Sequence, residues 1–263
     1  MEYLKAQKRY GQNFLKNKEV LSKIASSVEV GENDLILEIG PGMGALTEYL
    51  FLKNSYLLCY EIDERMEEYL KNYKSEKSKI IYGDFLKQNI VEDIKGIPYE
   101  NLYVVANIPY YITSPIISKL IEMEVKPKEI VLLVQKEFAS RITAESKHKE
   151  YNAFTLYVDL EYDASFLFQV GREHFIPSPK VDSAVIKLTR KKELGVFNKE
   201  FYFQFIRDAF LNKRKTLRNN LKNYDWEKIK RILDGLGYKE SVRAEEISKE
   251  DFKSLVNEYE SSF

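Results

Sequence analysis

Short apolar runs alternate with amphipathic stretches over about the first two thirds of the chain. Five of these runs have the continuous apolar character of strands that are buried on both faces of a sheet. They are residues 35–39, 56–60, 79–82, 102–106 and 130–135. Helical spacing is found between them, in residues 45–52, 64–73 and 115–122. Because strands that alternate with helices are joined by right-handed crossovers, the pattern predicts an α/β fold with a doubly wound, mostly parallel sheet.

The pattern changes in the last third of the chain. Residues 164–170 and 184–188 are two further predicted strands, and the link between them is too irregular for a helix, which favours an antiparallel pair. Residues 152–162 are predicted to be helical. After a linker at 191–195, apolar residues recur at helical spacing and no strand pattern follows. We therefore predict a first domain over residues 1–190 and a small all-α domain over residues 195–263.

Composition limits the classes of protein that the chain can belong to. The 263 residues carry 41 basic and 41 acidic side chains, so net charge indicates no partner. Cys59 is the single cysteine, which excludes a disulfide framework and a cysteine zinc site, and it fits a cytoplasmic protein. No apolar run approaches the ~18 residues of a membrane span, and the first residues are polar and basic. We expect no membrane segment and no metal.

A glycine-rich turn follows the first predicted strand, with the sequence Glu-Ile-Gly-Pro-Gly-Met-Gly-Ala-Leu-Thr at residues 38–47. Glycine allows the backbone to approach a ligand closely, which makes Gly40 and Gly42 candidate cofactor contacts. The dinucleotide fingerprint is G-x-G-x-x-G, whereas this turn reads G-x-G-x-G and contains Pro41, which lacks a backbone donor. The turn therefore favours a cofactor without phosphates, such as S-adenosylmethionine, over NAD. A purely structural strand-to-helix turn fits the sequence nearly as well.

Acidic residues follow the next two predicted strands. Glu61 ends the second strand, where a carboxylate can accept hydrogen bonds from ribose hydroxyls, and Asp63 is the alternative for that role. Asp84 ends the third strand and can accept from an adenine amino group, with Phe85 or a neighbouring residue against the ring. Each acid alone is typical of an exposed loop. Since the carboxyl ends of parallel strands share one edge of the sheet, we predict that they form one cofactor site.

The run Asn107-Ile108-Pro109-Tyr110 follows the fourth predicted strand. A purine amino nitrogen is a poor nucleophile because its lone pair is shared with the ring. The side-chain carbonyl of Asn107 and a backbone carbonyl beside Pro109 can accept its two hydrogens, which returns electron density to the nitrogen. Tyr110 can stack on the base, worth about 1–3 kcal/mol. These residues predict methyl transfer to a base amine, and a strand end followed by a proline turn is the alternative interpretation.

Eight stretches occur in the order found in one known enzyme family. They are residues 11–15 (Gly-Gln-Asn-Phe-Leu), 38–47, 61–63, 83–84, 107–110, 134–141, 175–183 and 213–221. In these stretches the chain resembles the small-subunit ribosomal RNA adenine-N6 dimethyltransferases, whose loss confers kasugamycin resistance in bacteria. The resemblance implies a Rossmann-like class I methyltransferase domain and the cofactor S-adenosyl-L-methionine. It also implies a substrate, two adjacent adenines in the 3′-terminal hairpin of 16S rRNA, each receiving two methyl groups during ribosome biogenesis.

The resemblance also implies site residues. Family cofactor contacts correspond to Asn13, Leu15, Gly40, Glu61, Asp84 and Asn107, and residues that handle the base correspond to Asn107, Tyr110 and Phe175. RNA affinity should be largely electrostatic. Residues 199–232 hold ten basic and four acidic side chains, and residues 1–23 hold six and two. The candidate phosphate contacts are Lys180, Lys213, Arg214, Lys215, Arg218 and Lys222, although a solvated helix face would have a similar sequence.

Four other functions remain alternatives. The erythromycin-resistance methyltransferases, which act on an adenine of large-subunit rRNA, share the stretches at 12–15 and 107–110. Residues 38–47, 134–141 and 213–221 resemble the small-subunit enzymes instead. A protein glutamine methyltransferase would not need the basic helical domain, and a non-catalytic assembly factor should have lost its cofactor residues. The glycine spacing disfavours an NAD-dependent dehydrogenase. We expect a cytoplasmic monomer that binds the small ribosomal subunit.

Overall fold

The computed structural model describes residues 7–261. In it the predicted apolar runs form strands of a seven-stranded sheet. The strands are β1 Phe14–Leu15, β2 Leu35–Ile39, β3 Tyr56–Glu61, β4 Ser78–Tyr82, β5 Leu102–Asn107, β6 Glu129–Gln135, β7 Tyr162–Val170, β8 Phe175–Ile176 and β9 Ser183–Arg190. All but β1 and β8 belong to the sheet, in the order β4-β3-β2-β5-β6-β9-β7. Strands β2 to β6 are parallel, as predicted.

The strand order reverses between β2 and β5. Strands β3 and β4 extend the sheet on one side of β2, and β5 and β6 extend it on the other side. In doubly wound sheets, ligands bind outside the carboxyl ends of the strands at this switch point. Ile39 of β2 lies opposite Ala106 of β5. The register therefore brings the glycine turn after β2 beside Asn107 at the end of β5.

The last strands of the sheet agree in part with the sequence prediction. Strand β9 runs antiparallel to β6 and lies between β6 and β7, so the two strands predicted as a pair are neighbours. A separate two-stranded sheet was not predicted. In it β1 pairs antiparallel with β8, with Phe14 opposite Ile176 and Leu15 opposite Phe175. This pairing attaches the N-terminal segment to a loop more than 150 residues later in the chain.

The helices are α1 Lys18–Ala25, α2 Thr47–Phe51, α3 Glu67–Leu70, α4 Ile90–Ile94, α5 Thr113–Glu122, α6 Lys136–Ile142, α7 Ala153–Glu161, α8 Lys199–Ala209, α9 Leu217–Asn220, α10 Trp226–Gly235 and α11 Lys249–Ser261. Short 3-10 helices lie at Lys8–Tyr10, Glu64–Met66, Lys71–Tyr73, Phe85–Lys87, Tyr110–Ile112, Arg172–His174 and Ala244–Glu246. The predicted helix at 64–73 is thus divided into three short pieces. Helix α5 begins before Pro115 because the 3-10 turn at Tyr110–Ile112 leads directly into it. None of the helices within residues 7–261 is long and apolar enough to cross a lipid bilayer.

The chain divides into two compact units. One contains the residues up to Ala139 and Ser165–Arg190, and the other contains Ser140–Ala164 and the residues from Lys191 onward. The second unit is helical, and between 195 and 261 it contains no strand. It is larger than the predicted domain at 195–263 because α7 is mostly apolar. Leu156 and Leu160 of this helix pack into the same buried cluster as Tyr202, Phe205 and Phe252.

Candidate active site

A cavity of about 340 Å³ lies within the first unit, at the carboxyl ends of β2, β3 and β5. Its volume is within the range of small-molecule sites. Ten of the residues predicted for the cofactor and the base line it: Asn13, Leu15, Gly40, Gly42, Glu61, Asp84, Phe85, Asn107, Pro109 and Tyr110. The structure therefore collects residues from five separate sequence stretches at the switch point of the sheet.

The glycine turn after β2 forms one wall of this cavity. Gly42 has φ +57°, and its N–H donates to Glu61 Oε2 at 2.8 Å. A Cβ at Gly42 would lie 3.1 Å from the Phe14 ring, and one at Gly44, where φ is +85°, would lie 2.6 Å from the Tyr73 ring. Both positions therefore require glycine, for backbone conformation and for space.

Glu61, at the end of β3, is held in place by backbone donors. Only 3% of the residue is exposed, and its Oε1 accepts from the N–H of Asp63 at 2.8 Å. Burial raises the pKa of Glu61. The alternative acid, Asp63, does not line the cavity. The Asp63 carboxylate forms an ion pair with Arg65 at 2.5 Å and accepts a hydrogen bond from the Gln12 amide at 3.0 Å. The hydrogen bond from Arg65 lowers the pKa of Asp63. Glu61 is therefore the acid of this pair that faces the cavity.

Glu38 also lines the cavity, although the sequence indicated no separate role for it. It is 1% exposed, and burial raises its pKa from 4.5 to about 8, with a further contribution from the charge of Glu61. Its Oε2 lies 3.5 Å from the Cys59 thiol. The carboxyl group is therefore protonated at neutral pH unless a cationic ligand lowers its pKa.

Replacing Glu38 with glutamine should flatten the dependence of stability on pH. Because the folded-state pKa lies above the unfolded value, the folded protein binds more protons between pH 4.5 and about 8. The wild-type free energy of unfolding should therefore fall as pH rises through this window, by on the order of a few kcal/mol, and Glu38→Gln should lose that part of the decrease. Denaturant titrations of both proteins at pH 5.5, 7.0 and 8.5 measure the free energy of unfolding. Parallel curves for the two proteins would contradict the expectation.

Asp84 and Phe85 follow β4 at the same edge of the sheet. The Asp84 carboxylate accepts from the N–H of Leu86 at 3.0 Å, which caps the 3-10 helix Phe85–Lys87. The Phe85 ring is 5% exposed and packs edge-on against Tyr60 at 5.4 Å between centroids. Packing thus holds the ring against the cavity. Within residues 7–261, no group of three or more His, Cys, Asp or Glu side chains is arranged to hold a metal.

Asn107 and the residues after it present two carbonyl oxygens. The Asn107 Nδ2 donates to the carbonyl of Asn13 at 3.3 Å, which orients the amide, and no donor among the described residues contacts its Oδ1. The carbonyl of Pro109 accepts from the N–H of Ile112 at 3.2 Å. The Ile108 carbonyl is therefore the backbone acceptor that remains beside Pro109. The predicted pair of acceptors for an amino group thus consists of the Asn107 side chain and the Ile108 main chain.

An N-terminal strap, residues 11–16, closes one side of the cavity. It is fixed by the β1–β8 pairing, by Gln12 on Asp63, and by the N–H of Lys16, which donates to the His174 carbonyl at 2.9 Å. The sequence identified Asn13 and Leu15 only through the family resemblance. Their attachment to the loop around residue 175 depends on contacts between distant segments, which local patterns do not reveal.

Two aromatic residues predicted to hold the base have different surroundings. Tyr110 lines the cavity, its phenol lies 2.6 Å from the Ser183 hydroxyl, and burial raises its pKa, so that the phenol is protonated. Phe175 is 2% exposed, pairs with Leu15 and packs in the core, and it does not line the cavity. The structure therefore brings Tyr110 to the site but gives Phe175 the position of a core residue, and its role at the base stays a prediction.

The candidate RNA contacts are exposed. Those of the helical unit lie between α8 and α10: Lys213, Arg214, Lys215, Arg218 and Lys222. Arg218 is partly engaged, with its NH1 at 2.6 Å from Glu240 Oε1 and its guanidinium 5.8 Å from the Trp226 ring. In the first unit, Lys180 is exposed in the loop between β8 and β9. Arg214, Lys215 and Lys222 are in no ion pair within the described part of the chain.

A sequence model of one protein family, described as ribosomal RNA adenine dimethylase, matches residues 3–261. The chain belongs to this family. This result confirms the resemblance and the enzyme class that the sequence predicted. The chain is a ribosomal RNA adenine dimethyltransferase.

Individual relatives agree with the family. The chain is 43% identical to ribosomal RNA small subunit methyltransferase A of Mycoplasmopsis pulmonis, over 97% of this chain and 99% of that protein. A crystal structure of a dimethyladenosine transferase from Plasmodium falciparum matches with a TM-score of 0.79 and 30% identity, over 92% and 95% of the chains. The 23S rRNA methyltransferase ErmE matches with a TM-score of 0.76 and 25% identity, over 94% and 99%. The predicted class I methyltransferase fold is confirmed, and the small-subunit relative is more similar in sequence than ErmE.

Proposed function

We propose that the protein methylates N6 of two adjacent adenines in the 3′-terminal hairpin of small-subunit rRNA, adding two methyl groups to each base. The observation that carries this proposal is the pair of available carbonyl acceptors, Asn107 Oδ1 and the Ile108 carbonyl, beside a cavity at the switch point of the sheet. An exocyclic amine has two hydrogens, which match these two acceptors. The similarity to a small subunit methyltransferase supports the small-subunit substrate.

The cavity suits S-adenosylmethionine, which supplies the transferable methyl group when it is bound. Three acids, Glu38, Glu61 and Asp84, line the cavity, and they are complementary to ribose hydroxyls, an amino group and a positive charge. The carboxylates of Glu61 and Asp84 would repel a pyrophosphate, which disfavours a dinucleotide. The residues that would hold the cofactor are Asn13, Leu15, Gly40, Gly42, Glu61, Asp84, Phe85 and Asn107.

The protein's own residues act mainly by positioning the base. The target adenine must leave its stack, which costs a few kcal/mol, and stacking on Tyr110 offsets part of that cost. Asn107 Oδ1 and the Ile108 carbonyl then accept the two amino hydrogens and direct the nitrogen lone pair towards the reacting carbon. Positioning of this kind can supply about 7–11 kcal/mol of the barrier. His148 and His174 do not line the cavity, so neither histidine takes the proton, and we assign its release to water.

RNA affinity is assigned to the exposed cations of the helical unit and to Lys180. Their charges neutralise phosphates, which makes binding dependent on salt. We further propose that the protein acts as a cytoplasmic monomer on the small subunit or its precursors. The lone, buried thiol of Cys59 fits a reducing compartment.

The decisive experiment maps the methylated nucleotide. The protein is incubated with labelled cofactor and with unmethylated small or large ribosomal subunits, and the label is located in the RNA by nucleotide. We expect label on two adjacent adenines near the 3′ end of the small-subunit rRNA. Label in large-subunit rRNA would favour the erythromycin-resistance type of activity. Label in protein, or RNA binding without transfer, would contradict the proposal.

Replacing Glu61 with glutamine should weaken cofactor binding. The glutamine oxygen can still accept from Gly42, which keeps the glycine turn in place, but its amide nitrogen cannot accept from the N–H of Asp63, and the charge that strengthens hydrogen bonds from ribose hydroxyls is lost. We expect the Kd of S-adenosylmethionine to rise by about 10–100-fold, the equivalent of one or two charge-assisted hydrogen bonds. Isothermal titration calorimetry measures it, with the exposed neighbour Glu64→Gln as control. An unchanged Kd for Glu61→Gln would assign ribose recognition to another residue.

A further inference from the structure

The phenol of Tyr110 is hydrogen-bonded to the hydroxyl of Ser183, with 2.6 Å between the oxygens. This is a normal distance for two hydroxyl groups. Ser183 is 0% exposed, whereas Tyr110 is half-buried and lines the cavity. The bond therefore joins a side chain of the candidate active site to a fully buried group that does not itself line the cavity.

Ser183 is held rigidly by its neighbours. It is the first residue of β9, where it lies opposite Gln135 of β6. The preceding residue, Asp182, is fixed as well, because its carbonyl accepts from the N–H of Lys136 at 3.0 Å and its carboxylate accepts from the Gln169 amide at 2.9 Å. The hydroxyl is thus presented from the paired part of the sheet, the kind of support that keeps a functional side chain in one geometry.

The other end of Tyr110 is fixed at its backbone. The Tyr110 carbonyl accepts from the Thr113 hydroxyl at 3.0 Å, at the start of α5. With its backbone and its phenol both anchored, the side chain cannot rotate about its Cα–Cβ bond without breaking the hydrogen bond to Ser183. The direction in which the ring extends beside the cavity is therefore fixed by the contact with Ser183.

We propose that Ser183 is a positioning residue, which holds the Tyr110 side chain in the one orientation from which its ring stacks on the target adenine beside the two carbonyl acceptors. This inference rests on the proposed function. It assigns a role to the start of β9, a segment that otherwise carries no part of the reaction. The competing interpretation is that the bond only gives each buried hydroxyl a hydrogen-bond partner. In that case, removing either hydroxyl would lower the stability of the fold and leave catalysis unchanged.

The test compares Ser183→Ala, Tyr110→Phe and the double variant. Each single change removes one hydroxyl and keeps the aromatic ring, so all three variants should lose the same bond. We expect kcat to fall by about tenfold in each, with the KM values for cofactor and RNA within about twofold of wild type. The double variant should be no slower than either single one, because residues that act through one bond are not additive.

A second readout does not require catalysis. RNA hairpins that carry 2-aminopurine in place of the target adenine become fluorescent when the base leaves its stack and are quenched when an aromatic ring stacks on it. We expect Ser183→Ala to give higher fluorescence than wild type at saturating protein, because the unanchored ring quenches less. Ser55→Ala is the matched control, since Ser55 is also buried but lies at the opposite end of the strands, and its hydroxyl has no hydrogen-bond partner among the residues that the structure describes.

The outcomes separate this inference from the proposed function. Wild-type kcat and fluorescence in Ser183→Ala, with reduced stability only, would overturn the positioning role while methylation by the wild type remains. A kcat loss that is additive in the double variant would also overturn it. If the wild type methylates no small-subunit adenine, the proposed function fails regardless of Ser183. If Ser183→Ala does not fold, Tyr110→Phe gives the same two readouts, and wild-type values there overturn the inference.

Discussion

Replacing Asn107 with alanine should lower the turnover of methyl transfer by about 10²–10³-fold, the loss typical of removing one preorganised polar group that acts on the reacting atoms. Alanine deletes the Oδ1 acceptor that we propose holds the target amine together with the Ile108 carbonyl. RNA affinity should remain near that of the wild type, because phosphate contacts supply most of it. Single-turnover kinetics on the small subunit, with RNA binding measured separately, provides the test.

Asn107 has a second contact that a control must separate from the first. Its Nδ2 donates to the carbonyl of Asn13, so alanine also releases the N-terminal strap. Asn107→Asp keeps a carbonyl-type acceptor but cannot donate to Asn13. If the acceptor matters, Asn107→Asp should turn over faster than Asn107→Ala; if only the strap matters, the two should be equally slow. Wild-type turnover in Asn107→Ala would contradict the mechanism.

Asn101 is a control for Asn107, because it is also an asparagine but lies at the opposite end of β5. It precedes β5, and its Nδ2 donates to Asp34 Oδ1 at 2.8 Å. Asn101→Ala should lower the free energy of unfolding without lowering turnover at a temperature where the variant is folded. A large loss of turnover in both variants would show that the strand is sensitive to any asparagine loss, and it would remove the specific argument for Asn107.

The parallel sheet and most of the site could be predicted because their signals are local. Strands buried on both faces are continuous apolar runs, and β2 has all five residues buried. The residues that follow each strand can also be identified from the sequence. Because parallel strands place their carboxyl ends at one edge of the sheet, these residues are predicted to lie together. For that reason Gly42, Glu61 and Asn107, which come from three distant stretches, were correctly placed together.

The features that were not predicted depend on distant contacts. The pairing of Leu15 with Phe175 joins two-residue strands, which have no periodicity to detect. This pairing buries Phe175 in the core. The family resemblance named Phe175 as a residue that handles the base, but it did not indicate that the side chain is buried. The high pKa of Glu38 likewise results from burial by the surrounding sheet. Helix α6 was missed because it follows β6 directly, without the intervening turn residues that mark the start of a helix.

Reversing the charge of Arg214, Lys215 and Arg218 to glutamate should lower RNA affinity by at least about tenfold near physiological salt, and by more at low salt. These side chains are exposed in the basic segment of the helical unit. If each contacts one phosphate, the slope of log affinity against log salt should decrease in magnitude by about two. Filter binding of small-subunit RNA over a range of salt concentrations measures both quantities. An unchanged slope would assign the segment to solubility.

The three cations should not contribute equally. Arg218 is paired with Glu240 at 2.6 Å, so part of its charge is already neutralised. Arg214 and Lys215 have no such partner within residues 7–261. We therefore expect Arg214→Glu and Lys215→Glu to weaken binding more than Arg218→Glu. Glu240→Gln should strengthen RNA binding modestly, because it releases the Arg218 guanidinium for a phosphate.

A control with the same change in net charge decides whether position matters. Lys192, Arg231 and Lys239 are also exposed in the helical unit but lie outside residues 213–222. Their reversal to glutamate alters the net charge by the same amount, so any effect through the overall field of the protein should be equal in the two triple variants. We expect the control to weaken RNA binding less and to leave the salt slope close to that of the wild type. Equal losses would mean that RNA responds to net charge alone, and the segment at 213–222 would then have no specific part in recognition.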